Sequence, residues 1–243
     1  MTLEIEPRVF QLRAFGAHVF ALVDDDVTLI DTGAPGSGRL VLRQLQEIGH
    51  SPSDVKRIIL THYHIDHRGA ARELQEATGA RVFIHKSEAP YLRGQQRYPN
   101  LVSSGPLARL AAPFSAAMRL RPVQVEELDD GDVIAALGGL RVLHSPGHTR
   151  GSISLWFKET GLLFSGDAME YRRGRLLRPG RQVTEDMDVA EATLRRLAQL
   201  GTDRICFSHF PAFRGQAADA FRALLSELDQ QASVQRVVKG APK

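Results

Sequence analysis

Four short apolar runs in this chain end in the same way, and that shared ending limits the folds open to it. RIIL leads into THYHIDHRG, LRVL into HSPGHTRGS, LLF into SGDAM, and RIC into FSHF. Each run has the length and composition of a buried strand. Each is followed at its carboxyl end by residues that bind metals: His62, His64, Asp66 and His67 after the first, His148 after the second, Asp167 after the third and His209 after the fourth. A preorganised metal site has to stand on rigid elements, and strand ends provide them. The fold must therefore bring these four strand ends to one place.

A His after a strand is ordinarily a loop residue with a satisfied hydrogen bond, so His148 or His209 alone proves little. The loop H-x-H-x-D-H is a stronger signal, because alternating His62 and His64 can face one ion while Asp66 and His67 turn toward another. His18, His50, His85 and His144 lack such company and read as structural or surface residues. Of these, His85 and His144 are candidates to orient a ligand imidazole.

The remaining pattern is regular. VFQLRAF, HVFALVD and VTLIDTG read as strands. A helix with apolar spacing at Leu40, Leu42, Leu45 and Ile48 stops at Gly49. GAARELQEATG is a helix and RVFIH a strand, so the metal loop lies within a βαβ unit, where chemistry gathers at the carboxyl ends of strands. VQVEEL, DVIAAL and SISLWF add strands, VAEATLRRLAQLG adds a helix, and a last helix runs from Ala217 to about Gln231. The expected organisation is one domain over 1–243, with two packed sheets and outer helices. It carries a partly helical insertion at about 88–122 and a frayed basic tail from about 232. The insertion has no acidic residue between Ala89 and Val125 and reads as a packed connector ahead of a lid or a dimer contact.

The motifs DTG (Asp31 to Gly33), THYHIDHRG, SPGHTRGS, SGDAM and SHF resemble those of the metallo-β-lactamase fold superfamily, and they span almost the whole chain. The resemblance implies an α+β fold, a four-layer αββα sandwich of two mixed β-sheets with external helices. It implies His62, His64 and His148 on a first metal, Asp66, His67 and His209 on a second, and Asp167 bridging them. Asp31 becomes a turn residue behind the ligands. The last motif, SHFPAF, departs from the Gly-rich turn of many relatives. Imidazole and carboxylate donors suit two Zn²⁺, with Fe or Mn as alternatives. A bridging hydroxide would then be the nucleophile, and Asp66 the group that moves its proton to the leaving group.

Within that family the ligand set resembles the glyoxalase II-like and lactonase-like branches. β-Lactams are not expected, because β-lactamases of this fold lack the bridging Asp. Few residues follow His209, which leaves no room for the C-terminal helical domain of glyoxalase II. Lactonases keep a Tyr shortly after the bridging Asp, and Tyr171 lies near that place. The run YRRGRLLRPGR carries Arg172, Arg173, Arg175, Arg178 and Arg181, readable as a solvated loop or as a clamp for an anionic substrate. The expected activity is hydrolysis of a small ester, thioester or lactone. The alternatives are a phosphodiesterase or nuclease, a mononuclear iron sulfur dioxygenase, and a non-enzymatic binding module. A net charge of +3 and a 7% aromatic share do not suggest a nucleic-acid surface. Nothing suggests a secretory leader or membrane span. Cys206, the one cysteine, reads as core and fits a reducing cytoplasm.

Overall fold

The computed structural model describes residues 2–98 and 121–240. The expected helical piece within 107–120 lies outside them. The first sheet has seven strands in chain order: β1 (Leu3–Glu6), β2 (Val9–Leu12), β3 (Val19–Val23), β4 (Val27–Ile30), β5 (Val55–Ile59), β6 (Arg81–His85) and β7 (Val125–Leu128). β1 to β4 pair antiparallel, and β4 to β7 pair parallel. The parallel pairs are joined through α1 (Gly38–Glu47), then α2 (Ile65–Arg68) with α3 (Ala71–Thr78), and then α4 (Ala89–Leu92).

The second sheet holds β8 (Val133–Ile134), β9 (Leu140–His144), β10 (Ile153–Phe157), β11 (Leu162–Phe164), β14 (Arg204–Cys206) and β15 (Phe213–Arg214), in the order β15-β14-β11-β10-β9-β8. The small hairpin of β12 (Glu170–Arg172) and β13 (Arg175–Leu177) lies between β11 and α5 (Met187–Leu197) along the chain, and α6 (Ala217–Gly240) closes it.

Alternation along the strands builds the layers. Ala21, Leu29 and Ile58 belong to an apolar cluster shared with Val41 and Leu45 of α1 and Leu74 of α3. Their chain neighbours Phe20, Leu22, Ile30 and Ile59 turn the other way, into a cluster with Val142, Leu155, Phe164 and Cys206 of the second sheet. Leu163 and Ile205 face outward from that sheet, onto Leu194 and Leu197 of α5 and Phe221 and Leu224 of α6. A side-chain period of two thus makes helix, sheet, sheet and helix four stacked layers. Cys206 is core, as expected.

The strand directions gather the ligands. β9 and β11 both run antiparallel to β10, and β14 runs parallel to β11, so β9, β11 and β14 point the same way. Their carboxyl ends lead to His148, Asp167 and His209, while those of β4 and β5 lead to Asp31 and the His62–His67 loop.

Three elements differ from the sequence reading. The run after Asp167 is a hairpin, turned at Arg173 and Gly174, both with positive φ (51° and 78°). Two left-handed residues match the twist of a two-residue hairpin turn. The metal loop contains a helical turn, α2. The last helix continues to Gly240, so the tail from about 232 is helical there, no Gly or Pro interrupting it before that point. No helix among the described residues is long and apolar enough to cross a membrane.

Phe164, 1% exposed, meets Phe20 across the sheets at a ring distance of 5.2 Å. Phe164→Ala is expected to lower the unfolding free energy by about 3–5 kcal/mol, read by chemical denaturation of metal-free protein. A loss below about 1 kcal/mol would contradict this inter-sheet packing.

Candidate metal centre

The site starts behind the ligands. Asp31 follows β4 with φ 59° and is 1% exposed, a backbone state that Asp tolerates better than most residues. Its Oδ1 accepts hydrogen bonds from the Thr61 amide at 2.8 Å and the Thr61 hydroxyl at 3.0 Å. Its Oδ2 lies 2.8 Å from His67 Nδ1. That contact leaves His67 Nε2 to face inward. Thr61 Oγ1 also lies 3.1 Å from His62 Nδ1, so one Asp–Thr pair orients two imidazoles of one loop.

Glycines let the loops approach. A Cβ on Gly16 would lie 2.6 Å from Asp66 Cβ, so the β2–β3 turn rests directly on that carboxylate's backbone. A Cβ on Gly147 would lie 2.3 Å from Ala190 N, which seats the His148 loop on the start of α5. The Asp186 amide donates to the Gly147 carbonyl at 2.9 Å, and the Glu185 amide to the His148 carbonyl at 3.0 Å.

Inward, three groups of donors form: His62, His64 and His148; His62, His67 and Asp167; and Asp66, His67 and His209, the atoms within each group lying within 4.8 Å of one another. His64 Nδ1 and His148 Nε2 are 3.0 Å apart, and His67 Nε2 and His209 Nε2 are 3.2 Å apart. Asp167 Oδ2 lies 3.5 Å from His67 Nε2, 3.5 Å from His148 Nε2 and 3.3 Å from His209 Nε2. One carboxylate oxygen thus adjoins both outer groups. Asp66 Oδ2 lies 3.3 Å from His209 Nε2.

Electrostatics favour cations here. Burial, helped by neighbouring imidazoles, holds His62 well below its ordinary pKa and pushes His64 down to about 2. Burial likewise lowers His148 to about 4. These three are neutral near pH 7, as metal ligands must be. Burial opposes charge on His67 and His209 too, but Asp167, joined at His67 by Asp31, outweighs it and raises both. Burial would also raise Asp167, yet His67 and His209 hold it well below the carboxylate range. His62 Nε2 is buried without a hydrogen-bond partner among the described residues, a costly state that a divalent ion would relieve. The donor set fits divalent metal.

The other candidate residues are placed differently. Tyr171 stacks on Phe207 at 5.7 Å and meets Phe213 edge-on at 5.4 Å. Arg172 pairs with Glu170 at 2.8 Å and covers the ring of Phe210, next to His209. Arg175 pairs with Glu227 of α6, and Arg178 with Glu191 of α5; Arg173 occupies the hairpin turn. His85 and His144 stack on each other at 4.1 Å. They bind Ser87 Oγ and the Arg150 carbonyl, not a candidate ligand, so Thr61 and Asp31 fill the orienting role once offered to them. The sequence reading missed Thr61, although its place between β5 and the first His was a signal, and Glu185, whose spacing carried none.

Comparison with known proteins gives the family and the fold. Residues 13–209 match the family model of the metallo-beta-lactamase superfamily. The probable metallo-hydrolase YflN of Bacillus subtilis is 29% identical over 219 residues, covering 84% of this chain and 82% of that protein. The acyl-coenzyme A thioesterase MBLAC2 of Homo sapiens is 36% identical over 118 residues, 46% of this chain and 40% of that protein. A metallo-beta-lactamase family protein from Thermus thermophilus superposes with a TM-score of 0.74 at 23% identity, covering 99% of this chain and 85% of that one. A metallo-beta-lactamase from Cronobacter sakazakii gives 0.71 at 18%, covering 98% and 99%. At such identities the last two likenesses establish the fold alone.

Metal should stabilise this chain by linkage. Zn²⁺ at a free concentration 100 times its Kd is expected to add about 2.7 kcal/mol to metal-free protein, seen as a rise in Tm. Asp167→Ala should remove most of that rise. Equal melting with and without Zn²⁺ would contradict the site.

Proposed function

Because the chain belongs to the metallo-beta-lactamase superfamily, we propose that it is a zinc hydrolase with two metal ions, acting on a small ester, thioester or lactone. Metal-dependent hydrolysis is common ground with its relatives; the two ions and the acyl substrate go beyond it. Asp167 carries it, since its Oδ2 lies within 3.5 Å of imidazoles belonging to both outer donor groups. His62, His64 and His148 would hold one ion, Asp66, His67 and His209 the other, and Asp167 both. Bound there, the ions would supply water activated near neutral pH and polarisation of the scissile carbonyl.

The chain's own residues supply the rest. Buried Asp31 and Thr61 fix the tautomer and angle of His67 and His62, so little reorganisation is needed during reaction. The Asp66 side chain is 35% exposed and that of His209 28%, whereas His62, His64 and His148 are buried. Substrate therefore meets the site on the Asp66–His209 side. Asp66 is the carboxylate placed to accept the attacking water's proton and return it to the leaving group. The thioesterase named among the relatives supports an acyl substrate. Arg172, beside His209 through Phe210, supports a second reading, a phosphodiester or another anionic substrate. The single, buried cysteine accords with a reducing cytoplasm as the working location.

Asp66→Asn is expected to lower kcat on a lactone, thioester or aryl ester by about 10²–10⁴-fold. Initial rates on zinc-loaded protein, with an aryl phosphodiester in the same panel, test this. Turnover of the phosphodiester alone would overturn the acyl reading.

A further inference from the structure

Glu88 is a carboxylate with 0% exposure that takes no part in the donor groups. It follows β6 at the entrance to α4, in the layer outside the first sheet. Its Oε1 accepts a short hydrogen bond from the Thr149 hydroxyl and another from the Gly151 amide at 3.0 Å. Thr149 is the residue after His148, and its amide is held in turn by Ser152 Oγ at 3.0 Å. The fit is close. A Cβ on Gly151 would lie 2.4 Å from Glu88 Cγ and 2.5 Å from Ser87 Oγ. Gly151 does not have a positive φ, so space and not backbone conformation demands a glycine there.

The other loop is reached by a second carboxylate and by packing. The Tyr63 ring packs on Tyr91 of α4 at 5.2 Å. Glu185 makes the link between the loops, accepting from Tyr63 Oη at 2.7 Å and from the Arg150 amide at 3.0 Å. Glu88 holds the His148 loop, and Glu185 joins that loop to the His62–His64 segment. No such bond runs from Glu88 to Asp66, His67 or His209.

We propose that Glu88 is a positioning residue for the three-histidine half of the centre, its buried carboxyl clamping the His148 loop so that His148 meets His62 and His64 around one ion. The inference rests on the two-ion reading above. Only Oε1 makes these bonds, while Oε2 is buried without a partner among the described residues. Glutamine therefore preserves the clamp and alanine removes it. Burial raises the Glu88 carboxyl to about 8, which makes the neutral amide a fair replacement.

The test is Zn²⁺ titration of metal-free protein against a chromophoric chelator, for wild type, Glu88→Ala, Glu88→Gln and Thr149→Val, with a melt of each metal-free variant. Loss of an outer hydrogen-bonding partner at a metal site typically weakens binding about 10–100-fold. That loss is expected at one of two ions in Glu88→Ala, the other keeping its wild-type affinity. Thr149→Val should weaken the same ion, and Glu88→Gln should remain near wild type. Wild-type affinity for both ions in Glu88→Ala would overturn the proposal. So would equal weakening of both ions alongside a lower metal-free Tm, the mark of a merely structural role. If Glu88→Ala does not fold, selective weakening in Thr149→Val supports the clamp and its absence overturns it. A wild type that takes up one ion would contradict the two-ion reading, and the Glu88 role would then be judged by the same comparison at that ion.

Discussion

Five imidazoles and two carboxylates gathered at one edge of two sheets must lose water, and His62, His64, His67 and His148 lose nearly all of it. Neutral imidazoles packed this closely cannot satisfy all their nitrogens from one another: His62 Nε2 has no partner among the described residues. The half-buried carboxylate Asp167 stays charged because cationic character surrounds it. A divalent ion answers both demands, offering an electron-pair acceptor to the nitrogens and positive charge to the carboxylate. The surrounding structure can be understood as the frame that makes such a costly arrangement persist.

That frame is built in successive shells. Alternating apolar side chains create the sandwich, and shared strand direction brings β4, β5, β9, β11 and β14 to the same edge. Behind the ligands, Asp31 and Thr61 set ring orientation. Outside them, Glu88 holds the His148 loop and Glu185 joins it to the His62–His64 segment. Gly16, Gly147 and Gly151 mark where neighbouring segments pack too closely for a Cβ. Precision in the centre is thus distributed: the ligands are few, and the residues that aim them come from both sheets and from the segment before α5.

Much of this was legible in the sequence, for a physical reason. A ligand at the end of an apolar strand announces itself locally, and His62, His64, Asp66, His67, His148, Asp167 and His209 all have that form. Partners supplied through space carry no such mark. Thr61 looks like an ordinary strand-end residue until Asp31, 30 positions earlier, is brought against it. Glu185 meets Tyr63 across 122 residues. The arginine run illustrates the converse. Its charge density was readable as a solvated loop or a substrate clamp, but Arg175 and Arg178 lie against Glu227 and Glu191, carboxylates of two helices later in the chain. Its hairpin was hidden because Arg173 adopts a left-handed conformation more usual for Asn or Gly. The long C-terminal helix was read short because a basic tail resembles a frayed end.

The proposed hydrolysis depends on two ions sharing Asp167, which anomalous diffraction at the zinc edge from crystals of zinc-loaded protein can test. Two peaks are expected on either side of the Asp167 carboxylate, one among His62, His64 and His148 and one among Asp66, His67 and His209. A single peak, or two peaks with Asp167 bound to neither, would contradict it.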